Sequence, residues 1–302
     1  MTIAELAKRF AIPGAVSFQA GPGGLTQIAV SGAGATATVL LHGAHVTSYR
    51  PAGQKPVLWL SRQSWFADGK PVRGGVPVCF PWFGASGPTS ESPLHGVVRL
   101  MEWRVESACR EPDGSTSVTL ALASNDQTRA LWLGEFLIRH TVTVGPRLTM
   151  TLAAHNPSGR PITVTEALHS YFAVSDVRNV TVLGLDDAEY IDKVAAAGRS
   201  RHRGPITFTG ETDRVFLHTA TPCVLEDPGW GRRIVVAKSG SASTVVWNPW
   251  LDKARLMPDY GDDEWPRMVC IETANAADNA VTIAPGATHA MQARIAVEPL
   301  GA

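Results

Sequence analysis

The chain has 302 residues, of which 44% are hydrophobic and 18% charged, enough apolar material for a large core. Its 27 Lys and Arg balance its 27 Asp and Glu, so no whole-chain field draws it to nucleic acid or to an anionic membrane. No stretch approaches the ~18 apolar residues of a membrane span, and the N-terminal MTIAELAKRF lacks the apolar centre of a secretory signal. Cys79, Cys109, Cys223 and Cys270 show no CxxC spacing, and they read as reduced thiols of a cytoplasmic protein.

Thr2-Ile3-Ala4-Glu5 fits a capping box, which predicts a short helix within residues 1–12 that ends before Pro13-Gly14. Beyond it, short β-rich runs recur between Gly and Pro. They are Thr26–Val30, Thr36–Leu41, His45–Tyr49, Val57–Leu60, Val97–Val105, Ser117–Ala123, Phe136–Val144, Leu148–Ala154 and Ile162–His169. Val180–Leu183, Arg214–His218, Ile234–Ala237, Ser243–Trp247, Val269–Thr273, Ala280–Ile283 and His289–Val297 follow. Phe136–Val144 and Leu148–Ala154, joined by Gly145-Pro146-Arg147, read as a hairpin. Asn125–Leu133 reads as a short helix or loop, and Leu185–Thr209 as surface loop. No fixed-period repeat or long linker divides the chain, so residues 1–302 read as one all-β domain, a large antiparallel β-sandwich with a few short helices.

Several stretches carry groups suited to chemistry. In TVTEALHSYFAV, an extended Thr163–Ser170 puts Thr165, Ala167 and His169 on one face, and small neighbours leave room beside the imidazole. In MVCIETA, Glu272 is a lone carboxylate in an apolar strand. A His and a Glu on sheets are the parts needed to move protons near pH 7. KPVRGGVPVCFPWF sets Arg73 before two glycines; it suits a phosphate or a sugar hydroxyl, or it caps a turn. Pro77 and Pro81 make that run an edge strand or ordered loop.

In SPLHGVVRLMEW, a strand puts His95, Val97 and Arg99 on one face, where His95 and Arg99 either converge on a ligand or remain a turn His and a solvated Arg. His42 and His45 have a metal-like spacing but no nearby Cys or carboxylate, so they read as loop or core histidines, and no metal site is expected. Asp213 either takes two sugar hydroxyls or pairs with Arg214. VVWNPW offers Trp247 and Trp250 as a stacking wall or as core. DYGDDE, Asp259–Glu264, does not match an EF-hand and reads as a mobile or solvated loop near the site.

Taken in order, LHGAHVTSYRP, WLSRQSWFADGKPVRGGVPVCFPWFG, PLHGVVR, EALHSYF, GETDRVF, VVWNPW and DYGDDEWPRMVCIETAN resemble the D-hexose-6-phosphate mutarotase family (glucose-6-phosphate 1-epimerases), a branch of the aldose 1-epimerase superfamily. The resemblance implies a galactose-mutarotase-like sandwich. It implies an isomerase that interconverts the α and β anomers of D-glucose 6-phosphate and related hexose 6-phosphates without a cofactor. It places the family's catalytic pair on His169 and Glu272 and its substrate contacts on Arg73, His95, Arg99 and Asp213. Some relatives carry Gln where this chain has Leu94, a difference that bears on which hexose is taken. A hexose 6-phosphate is thus the expected partner and a monomer the expected state. The alternatives are an epimerase of unphosphorylated aldoses and a non-catalytic carbohydrate-binding protein of the same fold.

Mutarotation removes a proton from the C1 hydroxyl and donates one to the ring oxygen. Glu272, in an apolar setting, is expected to have a raised pKa and to act as base. His169, near a carboxylate, is expected to hold a proton and act as acid.

Overall fold

The computed structural model describes residues 1–195 and 198–301; residues 196, 197 and 302, two of them within the expected Leu185–Thr209 loop, lie outside the described residues. Two eight-stranded, largely antiparallel sheets dominate, beside a four-stranded sheet and a two-stranded one. The four-stranded sheet takes Val16–Ala20, Thr26–Gly32, Ala35–Leu40 and Val46–Pro51 in chain order. Among the described residues the α-helices are Ile3–Phe10, Asp126–Leu131 and Trp250–Arg255. No described helix is long and apolar enough to cross a membrane.

The first helix starts where its sequence says. The Glu5 amide donates to the Thr2 hydroxyl at 3.3 Å, and the Thr2 amide donates to the Glu5 carboxylate at 2.8 Å. Asn125 caps Asp126–Leu131 in the same way.

One large sheet backs the molecule. Its order is Thr181–Leu183, Cys223–Asp227, Arg232–Ser239, Thr288–Pro299, Arg147–His155, Leu137–Val144, Thr116–Ala123 and Arg104–Arg110. Leu137–Val144 buries every second residue, as period-two alternation requires of a sheet with one face on the core. It pairs with Arg147–His155 as the expected hairpin.

The other sheet carries the site. It runs Arg199–Arg201, Glu189–Asp192, Thr212–Leu217, Ser243–Asn248, Met268–Asn275, Glu166–Leu168 and Val78–Cys79, with Tyr171–Ala173 also pairing with Met268–Asn275. Phe216, Val246, Val269, Ile271 and Leu168 point into the main core, where they meet Ile138, Val142, Leu148 and Met150 of the backing sheet. The opposite face presents Asp213, Trp247, Cys270, Glu272 and Tyr171. Met268–Asn275 and Ser243–Asn248 are buried throughout, because this second face is roofed by loops. In both large sheets a late strand is inserted between earlier ones. Met268–Asn275 sits between Ser243–Asn248 and Glu166–Leu168, and Thr288–Pro299 between Arg232–Ser239 and Arg147–His155.

Four expectations need correction. Val57–Leu60 is not a strand, since Leu58 and Leu60 make only isolated bridges, to Phe172 and Gly74. Val97–Val105 is not one strand: Val98–Leu100 is a 3₁₀ turn and the strand begins at Arg104. Gly96 bends the chain there, and a Cβ on it would lie 2.0 Å from the Phe80 carbonyl oxygen. Ile162–His169 is two short strands, Ile162–Val164 and Glu166–Leu168, in different sheets. Leu185–Thr209 is not all loop, since Glu189–Asp192 and Arg199–Arg201 form one end of the site sheet. Glu189–Asp192 is half-buried throughout and Arg199–Arg201 exposed throughout, so neither gives an alternation to read.

Candidate active site

All six residues singled out from the sequence, Arg73, His95, Arg99, His169, Asp213 and Glu272, line one cavity of about 380 Å³. Its floor is the middle of the site sheet. Glu272 points up from Met268–Asn275, the central strand. His169 follows directly on the Glu166–Leu168 strand, so the alternation that buries Leu168 in the core turns the imidazole to the cavity. The His169 amide donates to the Pro77 carbonyl at 3.0 Å, and the Tyr171 amide to the Gly75 carbonyl at 2.9 Å. His169 Nε2 lies 3.3 Å from Glu272 Oε1. Both side chains are almost fully buried, and His169 Nδ1 and Glu272 Oε2 have no hydrogen-bond partner among the described residues.

Burial dominates the electrostatics of this pair. It raises the Glu272 pKa well above the carboxylate range, with help from the like charge of Asp213 and against Lys193. That agrees with the apolar setting of its strand. Burial also pushes His169 well below its ordinary value, and Arg99 and Arg73 push it further. Burial and the two guanidinium groups therefore oppose the protonated imidazole expected from the sequence.

Arg73 sits on a loop that its neighbours force into place. Gly74 and Gly75 have φ of 107° and 60°, and a Cβ on Gly75 would lie 2.3 Å from the Val46 carbonyl oxygen. His45 Nε2 donates to the Gly74 carbonyl at 2.7 Å, and His42 Nε2 to the Lys70 carbonyl at 2.7 Å. The two histidines thus brace the Arg73 loop from below. The Arg73 guanidinium donates to both Asp259 oxygens and to the Tyr171 hydroxyl, each at 3.2 Å.

The acidic Asp259–Glu264 run is therefore not a solvated loop. Asp259, Tyr260 and Glu264 are buried, and Glu264 accepts from the Ser61 hydroxyl at 3.1 Å and from Arg62 Nε at 3.0 Å.

His95 and Arg99 reach the cavity from a turn rather than from a strand. His95 has φ of 61°, an uncommon backbone for a non-glycine residue and one frequent at functional sites. Its Nδ1 accepts from the Gly84 amide at 3.3 Å, which leaves the proton of the neutral ring on Nε2. Burial, followed by Arg99, keeps it neutral. Arg99 Nη2 donates to the Leu94 carbonyl at 2.8 Å, and its Nε is buried without a partner. The Leu94 side chain is exposed at the rim.

Asp213 shares the cavity with Lys193 and Lys253. Burial raises its pKa, and those two lysines oppose the rise. It does not form the alternative pair with Arg214, which bonds Asp192 instead at 3.4 Å.

Trp247 stands as a wall, edge-on to His169 at 6.2 Å and 83°. Trp250 packs on Trp265 instead. Tyr171, Lys193 and Asp259 belong to the site although their roles were not read from the sequence. Only the aromatic pair after His169 hinted at Tyr171, and the partners of the others lie far along the chain. His169, Cys270 and Glu272 place donor atoms within 4.8 Å of one another, a possible metal set. The local field opposes a divalent ion, because Arg73, Arg99 and Lys193 line the same cavity and burial holds the Cys270 thiol protonated.

The aldose 1-epimerase family model matches residues 27–296. The chain belongs to the aldose 1-epimerase family. It is 34% identical over 275 residues to a Cenchrus ciliaris protein provisionally named glucose-6-phosphate 1-epimerase, covering 88% of this chain and 82% of that one. It is 37% identical over 245 residues to an Escherichia coli K12 protein with the same provisional name, covering 80% of each. The crystal structure of a provisionally assigned mutarotase from Salmonella typhimurium superposes with a TM-score of 0.89 at 32% identity, over 96% of both chains. An aldose 1-epimerase fold accounts for the two large sheets and for a ligand cavity on the face turned away from the backing sheet.

Proposed function

We propose that this aldose 1-epimerase family member is a cofactor-independent hexose-6-phosphate mutarotase, with D-glucose 6-phosphate among its substrates. The observation that carries the reading is the buried His169–Glu272 contact, in a cavity that also holds two arginines and an uncommitted carboxylate. The names borne by the relatives point the same way.

In this reading Glu272 takes the proton from the C1 hydroxyl while His169 gives one to the ring oxygen. The bond between C1 and the ring oxygen breaks and leaves an open-chain aldehyde. Rotation about C1–C2 presents the other face of the carbonyl. The C5 hydroxyl then adds to it, His169 recovers its proton, and Glu272 returns the other to O1. Each proton partner contributes roughly 10²–10⁴-fold.

The charges support this cycle. With the ring closed the pair is carboxylate and imidazolium; with it open, carboxylic acid and imidazole. Burial favours the uncharged forms of both groups, which is the arrangement of the open-ring state. The desolvated floor therefore lowers the free energy of the ring-opened intermediate relative to the closed sugar. Arg73 and Arg99 are assigned to the phosphoryl group, His95 Nε2–H and Asp213 to sugar oxygens, and Trp247 to an apolar wall.

Anomer exchange followed by NMR with glucose, galactose and mannose 6-phosphates tests the reading. Exchange that grows with protein concentration above the spontaneous rate is expected for at least one of them. Exchange at the spontaneous rate for all three would remove it.

A further inference from the structure

Arg73 and the acid–base pair are joined by an unbroken run of contacts. Asp259 holds Arg73, and Arg73 Nη1 donates to the Tyr171 hydroxyl at 3.2 Å. The Tyr171 ring lies flat against the His169 imidazole, 4.7 Å between centroids at 11°. His169 Nε2 in turn lies 3.3 Å from Glu272. The backbone repeats the connection, since the Tyr171 and His169 amides are bonded to Gly75 and Pro77 of the Arg73 loop.

Two details give this run a direction. His169 Nδ1 is buried without a partner among the described residues, so on that side no carboxylate or carbonyl orients the ring, and Glu272 meets it only at Nε2. The flat contact with Tyr171 orients it instead, and Trp59 stacks on the far side of Tyr171 at 5.7 Å and 22°. Arg99, whose Nε is also buried and unpartnered, carries a charge that no carboxylate holds.

We propose that the phosphoryl group is an activator as well as a handle: an anion seated on Arg73 and Arg99 acts through Tyr171 on His169 and raises turnover of the sugar ring itself. The proposal rests on the hexose-phosphate reading of the site. The charged groups that face the imidazole are Glu272, Arg73, Arg99 and Lys193. Three of the four are cations, and they disfavour its protonated form in a dry setting. A dianion on the arginines cancels much of that field. His169 then holds the proton that the ring oxygen needs. After burial, Arg99 and Arg73 are the main causes that hold the imidazole neutral in the empty cavity. Each unit by which the imidazole pKa rises changes the imidazolium fraction, and turnover with it, about tenfold. Tyr171 is the positioning residue: its hydroxyl accepts from Arg73 and its ring sets His169.

The test uses the full chain and inorganic phosphite as the probe. Anomer exchange of unphosphorylated glucose is followed by NMR as phosphite is added. A saturable rise of about tenfold or more is expected in the wild type. Tyr171→Phe keeps the ring against His169 and removes the hydroxyl, so the ratio of activated to unactivated turnover should fall toward one. Tyr171→Leu removes the stack as well and should lower kcat on both glucose and glucose 6-phosphate. Phosphite that inhibits glucose 6-phosphate turnover yet leaves glucose exchange unchanged or slower overturns the proposal. So does a ratio of kcat values, glucose 6-phosphate over glucose, that is the same in the wild type and Tyr171→Phe; this arm decides even where phosphite binds weakly. A wild-type chain that exchanges the anomers of neither sugar counts against the mutarotase reading instead, which keeps the two failures apart.

Discussion

Asp259 holds Arg73 through both of its carboxylate oxygens, with Nε 3.2 Å from Oδ2 and Nη2 3.2 Å from Oδ1. A guanidinium has five N–H donors, and Tyr171 takes a third. Two donors remain for a ligand. Asp259 thus fixes the angle at which Arg73 meets a substrate and lowers the net charge it offers.

Removing that carboxylate leaves a guanidinium in a largely desolvated place. Asp259→Ala is expected to cost roughly 2–3 kcal/mol, below the 3–5 of a fully buried pair because Arg73 keeps 22% of its side chain exposed. Denaturant titration gives the number. An unchanged midpoint would mean that the pair contributes nothing net.

Glu272→Gln keeps the shape of the side chain and loses the carboxylate proposed as the base. Anomer exchange should fall about 10²–10⁴-fold, while binding of the sugar phosphate, read by calorimetry, stays near that of the wild type. Turnover like that of the wild type would reject Glu272 as the base.

The two arginines should not be equivalent. Arg99 has no carboxylate partner, whereas Arg73 is shared with Asp259. Arg99→Ala is therefore expected to raise KM for glucose 6-phosphate more than Arg73→Ala does, and each should affect free glucose less. The wild-type KM for the phosphorylated sugar should rise with ionic strength. Equal losses on glucose and on its 6-phosphate would remove both residues from the phosphate end.

Stability should fall as the solution is acidified. His140 and His45, both buried, have pKa values pushed down to about 4 and about 3, with burial the largest cause for each. His169 and His95 are lowered too, again by burial first. Below about pH 6.5 the unfolded chain binds these protons and the folded chain does not, so stability rises with pH and is lost as pH falls through the folded values. Each proton adds a slope of about 1.4 kcal/mol per pH unit. Glu272 and Asp213, both raised, pull the other way above about pH 4, but the histidines outnumber them. Unfolding free energies at pH 7 and pH 4.5 measure the difference, and His140→Gln should flatten the slope by about one proton.

The sheets were largely legible because period-two alternation survives wherever one strand face meets the core, as in Leu137–Val144. Glu189–Asp192 was not legible, since none of its side chains is fully buried. Residue type and the family resemblance found His169 and Glu272. The charge state of His169 lay beyond them, because it depends on where Arg73 and Arg99 stand in space. Asp259 was missed for a similar reason. An acidic run reads as solvated until its arginine, far back in the chain, is seen beside it.

The late strands laid between earlier ones have a consequence for synthesis on the ribosome. Until Met268–Asn275 emerges, Ser243–Asn248 and Glu166–Leu168 each present an open hydrogen-bonding edge, and so do Arg232–Ser239 and Arg147–His155 until Thr288–Pro299 follows. The nascent chain therefore carries two sticky gaps until Met268–Asn275 and Thr288–Pro299 have been made. A premature stop after residue 260 would remove Glu272 and, with it, the strands that seal both gaps, so such fragments should be captured by chaperones rather than accumulate in a folded form.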